Sequence, residues 1–132
     1  ALKKHNIAVN EDLIVDCTNS YEDNFLIIKD FLSNNKPDAI FASVERLAFS
    51  TYFVCNSIGL NIPADLKIIA FSSLQIAELL SPPLSTVTQP AEQIGQEAAK
   101  LLLAKLKGEY QEMGSNTIKL NSHLMIRKSS QF

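Results

Sequence analysis

DLKIIAFSSLQIAELLSPPLSTVTQPAEQIG, residues 65–95, contains a short apolar run, two serines, a double proline and then a helix start. The run Lys67–Phe71 is apolar on both faces, which is typical of a parallel strand that is covered by helices on each side. Ser72 and Ser73 follow it directly. The stretch therefore predicts a buried strand whose carboxyl end is polar.

The residues after the serines predict an extended crossover that leads into a long helix. Pro82 and Pro83 exclude a helix at that point, so Leu84–Thr88 is predicted as a further short strand. Pro90 suits the first turn of a helix that we expect to run to about Lys107. The predicted apolar face of this helix carries Ile94, Ala98, Leu102 and Leu106.

Upstream of residue 65 the sequence alternates between strand and helix patterns. Strands are predicted at Leu13–Cys17 and Ala39–Ala42, and a capping box at Ser20 opens a helix between them. A second helix ends at Gly59, and the alternating segment Thr117–Arg127 predicts a half-exposed edge strand. We therefore expect an α/β fold with a parallel sheet flanked by helices, of the flavodoxin or Rossmann type.

Composition limits the classes of function. The 132 residues are 46% hydrophobic and 20% charged, with a net charge of −2, as expected of one globular domain. The twelve Lys and Arg residues are scattered along the sequence, so the chain alone is not expected to bind nucleic acid. No apolar run is long enough to span a membrane. Cys17 and Cys55 are expected to be reduced thiols, which favours a cytoplasmic protein.

Polar residues follow three of the predicted strands at their carboxyl ends. In open parallel sheets, ligands bind in the crevice outside these ends. Alternatively, each of these side chains only caps the next helix. The candidate ligand-binding residues are Asn19, Ser43, Val44, Glu45, Ser72 and Ser73.

The sequence carries no recognisable catalytic motif, and we expect neither an enzyme, a cofactor nor a metal site. His5 and His123 are predicted to be solvated, which leaves Ser72 and Ser73 without a nearby base. Glu45 and Arg46 are interpreted as a solvated first turn of a helix.

Three segments in order resemble the C-terminal half of the effector-binding region of LacI/GalR-type transcriptional regulators. They are PDAIFA at residues 37–42, NIPADLKIIAF at residues 61–71 and PPLSTVTQPAEQIGQEAAKLLL at residues 82–103. The resemblance extends over essentially the whole chain.

The resemblance implies a two-lobed region, related to periplasmic sugar-binding proteins, in which a small-molecule effector sits between the lobes. Residues 1–81 and 115–132 are then mainly the C-terminal lobe, and residues 82–114 are a crossover strand and helix of the other lobe. DNA is bound only through a helix-turn-helix that is absent from this chain, and relatives work as homodimers. The expected dimer interface is Leu47, Phe49, Tyr52 and Phe53.

The chain departs from the family pattern at two ligand-binding positions. Typical members carry Asn-Asp where this chain has Val44 and Glu45, and Asp-Asp where it has Ser72 and Ser73. We therefore expect a sugar-derived or other metabolite to be bound in a modified way. A periplasmic-type solute-binding protein of the same fold, or a flavodoxin-like enzyme, remains an alternative.

Overall fold

A computed structural model describes residues 2–108 and 117–131 as three helices and four strands, joined by short 3₁₀ segments. The helices and strands, in chain order, are α1 (Tyr21–Asn35), β1 (Ala39–Ala42), α2 (Glu45–Ile58), β2 (Lys67–Phe71), β3 (Ser85–Thr88), α3 (Ala91–Lys107) and β4 (His123–Met125). The 3₁₀ segments lie at Leu2–His5, Glu11–Leu13 and Gln75–Glu78.

The strands form one open sheet in the order β1-β2-β3-β4. The first three strands are parallel, and β4 pairs antiparallel with β3. The predicted parallel α/β sheet is confirmed, with one antiparallel strand added at its side. The final segment does form an edge strand, but only His123–Met125 of the predicted Thr117–Arg127 are paired.

Helices α1 and α2 pack together on one face of the sheet, because their apolar residues recur at helical spacing. Ile28 and Leu32 on α1 are buried, as are Ala48 and Cys55 on α2. Ile68 lies beneath them with no exposed surface, and burying a side chain of this size contributes about 1.5–3 kcal/mol.

Local signals set the ends of the helices. The Ser20 hydroxyl accepts the N–H of Asp23 at 3.1 Å and so caps the start of α1. Helices α2 and α3 end at Gly59 and Gly108, whose φ angles of 76° and 80° lie in the left-handed region. All three boundaries agree with the predictions.

The predicted strand at Leu13–Cys17 is wrong. A 3₁₀ segment ends at Leu13, and the residues after it are assigned to no strand. A cavity of about 510 Å³, lined by residues 13–17 and by β1, α1 and α2, separates this segment from β1. Without a neighbouring strand within hydrogen-bonding distance, a β-branched run cannot form a ladder.

Helix α3 has the predicted length, but its apolar face is not buried. Ile94, Leu102 and Leu106 are 43%, 58% and 75% exposed. No residue of α3 is buried in the described structure. The predicted lobe boundary at residues 114 and 115 lies outside the described residues.

Candidate functional site

The carboxyl ends of β1 and β2 lie side by side, because the two strands are parallel and Ala42 pairs with Ala70. This brings residues 43–45, which follow β1, close to Ser72 and Ser73, which follow β2. Gln89 follows β3 at the same end of the sheet. We call this surface the C-terminal rim; it comprises residues 43–45, 72–73 and 89 together with Asn19.

Asn19 reaches the rim through Arg46, a residue that the sequence analysis did not select. The guanidinium of Arg46 donates Nη1 to the carbonyl of Asn19 at 2.8 Å and Nη2 to the carbonyl of Thr18 at 3.2 Å. The helix dipole disfavours a cation in a first turn. That conflict was a usable signal that Arg46 has acceptors elsewhere in the fold.

Asn24 holds the same loop from beneath. Its side chain is fully buried, accepts the N–H of Thr18 at 2.8 Å and donates to the carbonyl of Thr18 at 3.1 Å. Both Asn24 and Arg46 therefore make hydrogen bonds to the backbone of Thr18. These bonds fix the position of Asn19, the next residue in the loop, within the rim.

The first turn of α2 supplies the uncommitted groups of the rim. Val44 is the cap residue and provides no side-chain cap bond, so the N–H groups of Glu45 and Arg46 have no intrahelical acceptor. The carboxylate of Glu45 is half-buried and takes no hydrogen bond or ion pair from the described residues. Ser43 is exposed and caps no helix, so the capping alternative fails for Ser43.

The two serines after β2 differ from Ser43 and Glu45, because their hydroxyls already make hydrogen bonds within the protein. Ser72 is 2% exposed, and its hydroxyl accepts the N–H of Leu74 at 3.2 Å. The hydroxyl of Ser73 accepts the N–H of Gln89 at 2.9 Å and donates to the carbonyl of Gln89 at 3.3 Å. The Ser72 hydroxyl therefore makes a local bond to the backbone two residues later, and it does not cap the 3₁₀ segment Gln75–Glu78, which has no side-chain cap bond.

The structure brings His123 to the same end of the sheet, which the sequence did not indicate. His123 pairs with Thr88 in the β3–β4 ladder, and the hydroxyl of Thr88 donates to the carbonyl of His123 at 3.1 Å. Its side chain is exposed, as predicted. The other histidine, His5, is exposed in the first 3₁₀ segment.

A groove of about 360 Å³ lies beside the rim, between α3 and the end of β2. Phe71, Ile94 and Leu101 provide apolar walls, while Gln89 and Glu97 provide polar groups. A mixed lining of this kind suits a small polar metabolite that also has an apolar face.

The Cys17 thiol lies two residues before Asn19 in the loop beside the rim. Burial raises the pKa of the Cys17 thiol and outweighs the opposing effect of Arg46, so Cys17 remains protonated at neutral pH. Across residues 2–108 and 117–131, no group of three His, Cys, Asp or Glu side chains is placed to hold a metal ion. Within the same ranges, no helix is long and apolar enough to cross a membrane.

The four residues of the expected dimer interface lie in different environments in the structure. Leu47 and Tyr52 pack against the hydrophobic core, and the Tyr52 hydroxyl donates to the carbonyl of Pro82 at 2.8 Å. Phe49 is half-buried. Phe53 is 53% exposed.

Residues 1–130 match the family described as periplasmic binding protein-like domain. The chain is 32% identical over 130 residues to the ribose operon repressor of Haemophilus influenzae, covering 98% of this chain and 39% of that protein. It is 42% identical over 73 residues to the lactose operon repressor of Rhizobium radiobacter, covering 55% of this chain and 65% of that protein.

A solved LacI family regulator from Enterococcus faecium, with bound ribose, superposes with a TM-score of 0.81 at 26% identity. The match covers 98% of this chain and 47% of that one. The chain therefore spans less than half the length of the ribose operon repressor and of the Enterococcus faecium regulator.

Proposed function

The chain belongs to the periplasmic binding protein-like domain family, and on that premise we propose that it is the effector-sensing part of a bacterial LacI-type transcriptional regulator. The observation that carries the proposal is the C-terminal rim, where uncommitted polar groups collect at the ends of parallel strands. Relatives named as operon repressors support a cytoplasmic regulator over a solute-binding protein. They also support a role in binding without catalysis.

The effector is proposed to be a sugar or a sugar-derived metabolite. Glu45 offers a half-buried carboxylate with no partner in the described structure, and such a group accepts hydrogen bonds from ligand hydroxyls. Val44 is 41% exposed and provides an apolar wall beside it. Asn19 and Ser43 add short polar contacts. Ser72 is removed from the proposed contacts, because its hydroxyl is buried and bonded to Leu74.

The test uses the full-length regulator and a panel of monosaccharides, disaccharides, sugar phosphates and nucleosides. Thermal and urea unfolding should identify an effector that stabilises the protein by about 2.7 kcal/mol at 100 times its Kd. Glu45→Gln keeps the size of the side chain and removes its charge. We expect it to weaken binding about ten- to a hundredfold, because hydrogen bonds to charged groups contribute about 1.5–3 kcal/mol.

The matched control is Glu11→Gln, which changes an exposed glutamate in a 3₁₀ segment and should leave the affinity unchanged. Binding of a plain hexose that Glu45→Gln and Asn19→Ala leave undiminished would contradict the proposed contacts. A panel without any binder, tested on a protein that is folded, would argue against sugar sensing.

We propose that α3 belongs to a second lobe that closes over the rim, and that a helix-turn-helix elsewhere in the full-length protein binds DNA. The support is the apolar face of α3, on which Leu102 and Leu106 are 58% and 75% exposed. A helix with one apolar stripe is stable when that stripe is packed. In the full-length protein, Leu102→Lys should therefore destabilise folding.

Self-association is proposed through the exposed part of α2 and its aromatic neighbours. Phe53 contacts Tyr21 and Phe25, with ring centroids 6.2 Å and 5.6 Å away. Exposed aromatic clusters are common anchors of protein interfaces. Light scattering at micromolar concentration should show a dimer that Phe53→Ser dissociates. Phe41→Ser, which changes a 62% exposed side chain on β1, is the control. A strictly monomeric wild-type protein would refute this interface.

A further inference from the structure

One side chain ties the end of β2 to the residue at which the chain leaves the sheet. Ser73 follows β2, and Gln89 follows β3, the next strand in the sheet. The Ser73 hydroxyl accepts the N–H of Gln89 at 2.9 Å and donates to its carbonyl at 3.3 Å. We call Gln89 and Pro90 the α3 root, since α3 begins at the following residue.

Within the described residues, α3 meets the rest of the fold at this root and along the groove beside Phe71. None of its residues is buried, and Leu103 is 56% exposed. At the root itself the carbonyl of Gln89 also accepts the N–H of Ala91 at 2.9 Å. Gln89 is therefore held on one side by the first residue of α3 and on the other by Ser73.

We propose that Ser73 is a positioning residue that sets the direction in which α3 leaves the sheet. Ser73 also lies on the C-terminal rim, so an effector that takes its hydrogen bonds competes with Gln89 and releases the α3 root. This coupling to an effector rests on the proposed function. The effect on α3 does not, because Ser73→Ala reproduces the released root without any ligand.

The experiment compares the ¹⁵N-labelled 132-residue chain with Ser73→Ala and Ser73→Thr. Hydrogen exchange reads the protection of the Gln89 amide, and residual dipolar couplings read the orientation of α3 relative to the sheet. Ser73→Ala should speed exchange of the Gln89 amide about fivefold and leave α3 without a single orientation. Ser73→Thr retains the hydroxyl and should keep the wild-type exchange rate of the Gln89 amide and the wild-type orientation of α3.

Ser33→Ala is the matched control, because it removes an exposed hydroxyl that bonds within α1, to the carbonyl of Lys29 at 2.8 Å, and should change neither property. The proposal is overturned if Ser73→Ala leaves the α3 couplings unchanged, even with faster exchange at Gln89. It is also overturned if Ser73→Thr disturbs α3 as much as alanine does. Neither readout needs an effector, so a full-length protein that binds no sugar overturns the proposed function and leaves this result standing.

Discussion

Replacing Asn24 by alanine tests whether the loop beside the C-terminal rim is held from the interior. The Asn24 side chain has no exposed surface and makes two hydrogen bonds to the backbone of Thr18, at 2.8 Å and 3.1 Å. The alanine variant removes both. The carbonyl of Thr18 keeps the guanidinium of Arg46 at 3.2 Å, whereas its N–H loses its acceptor.

The expected cost of Asn24→Ala is about 2–4 kcal/mol in the free energy of unfolding. An unpaired, partly buried donor costs about 1–3 kcal/mol, and the second hydrogen bond contributes about 1 kcal/mol more. A domain of this size is stable by about 5–15 kcal/mol, so the variant should still fold. Its midpoint in urea should fall clearly below that of the wild type.

The assay is urea unfolding followed by circular dichroism, with Asn34→Ala as the matched control. Asn34 lies on the same helix and is exposed, and its side-chain amide donates to the carboxylate of Asp30 one turn earlier, at 3.0 Å. Such surface pairs contribute about 0.2–0.5 kcal/mol. Equal stabilities of the two variants would refute the argument that Asn24 secures the loop from within.

Three further predictions concern Tyr52, Ser129 and Cys55. Burial raises the pKa of Tyr52 to about 12 from 10.0. The protonated hydroxyl of Tyr52 therefore contributes fully to the free energy of unfolding below pH 10, and this contribution is lost as the pH rises towards 12. Urea unfolding at pH 9 and pH 11 should show this loss in the wild type, and Tyr52→Phe should lack it; an equal loss in both proteins would contradict the assignment. Ser129 is buried and joins the N–H of Ser85 at 2.8 Å to the carbonyl of Ile68 at 2.6 Å, so Ser129→Ala should lower the free energy of unfolding by about 2–4 kcal/mol. A loss below about 0.5 kcal/mol in urea would argue against this bridge. Burial raises the pKa of Cys55 to about 11, so a thiol reagent at pH 8 should modify Cys55 only as fast as the protein unfolds, and immediate modification would contradict its burial.

Features of the fold that depend on neighbours along the chain could be predicted from the sequence. The capping box at Ser20 predicted the start of α1, and Gly59 predicted the end of α2. The run Lys67–Phe71 was assigned to a strand with the observed limits. Helical periodicity and left-handed caps are local properties, so a few residues are enough to specify them.

The composition of the rim was predictable for a similar reason. Residues that directly follow parallel strands must emerge at one end of the sheet, so Ser43 and Ser73 were expected to be near each other. Their bonding was not predictable, because a serine hydroxyl pairs with whichever donor or acceptor lies within about 3 Å. Ser73 bonds to Gln89, sixteen residues away, whereas Ser43 has no hydrogen-bond partner in residues 2–108 and 117–131.

Tertiary structure alone decided the features that depend on distant segments. Leu13–Cys17 has the composition of a strand, but a cavity lies between this segment and β1. The segment forms no ladder because a ladder requires a partner strand at hydrogen-bonding distance. The contact of Arg46 with Asn19 spans 27 residues of sequence, and His123 lies at the carboxyl end of β3 because β4 runs antiparallel. Periodicity and backbone preference in the sequence predicted α1, α2 and α3, the strands β1, β2 and β3, and the polar residues that follow β1 and β2. Which of those polar groups remain uncommitted depended on the packing of the whole chain, because hydrogen bonds select partners by distance in space.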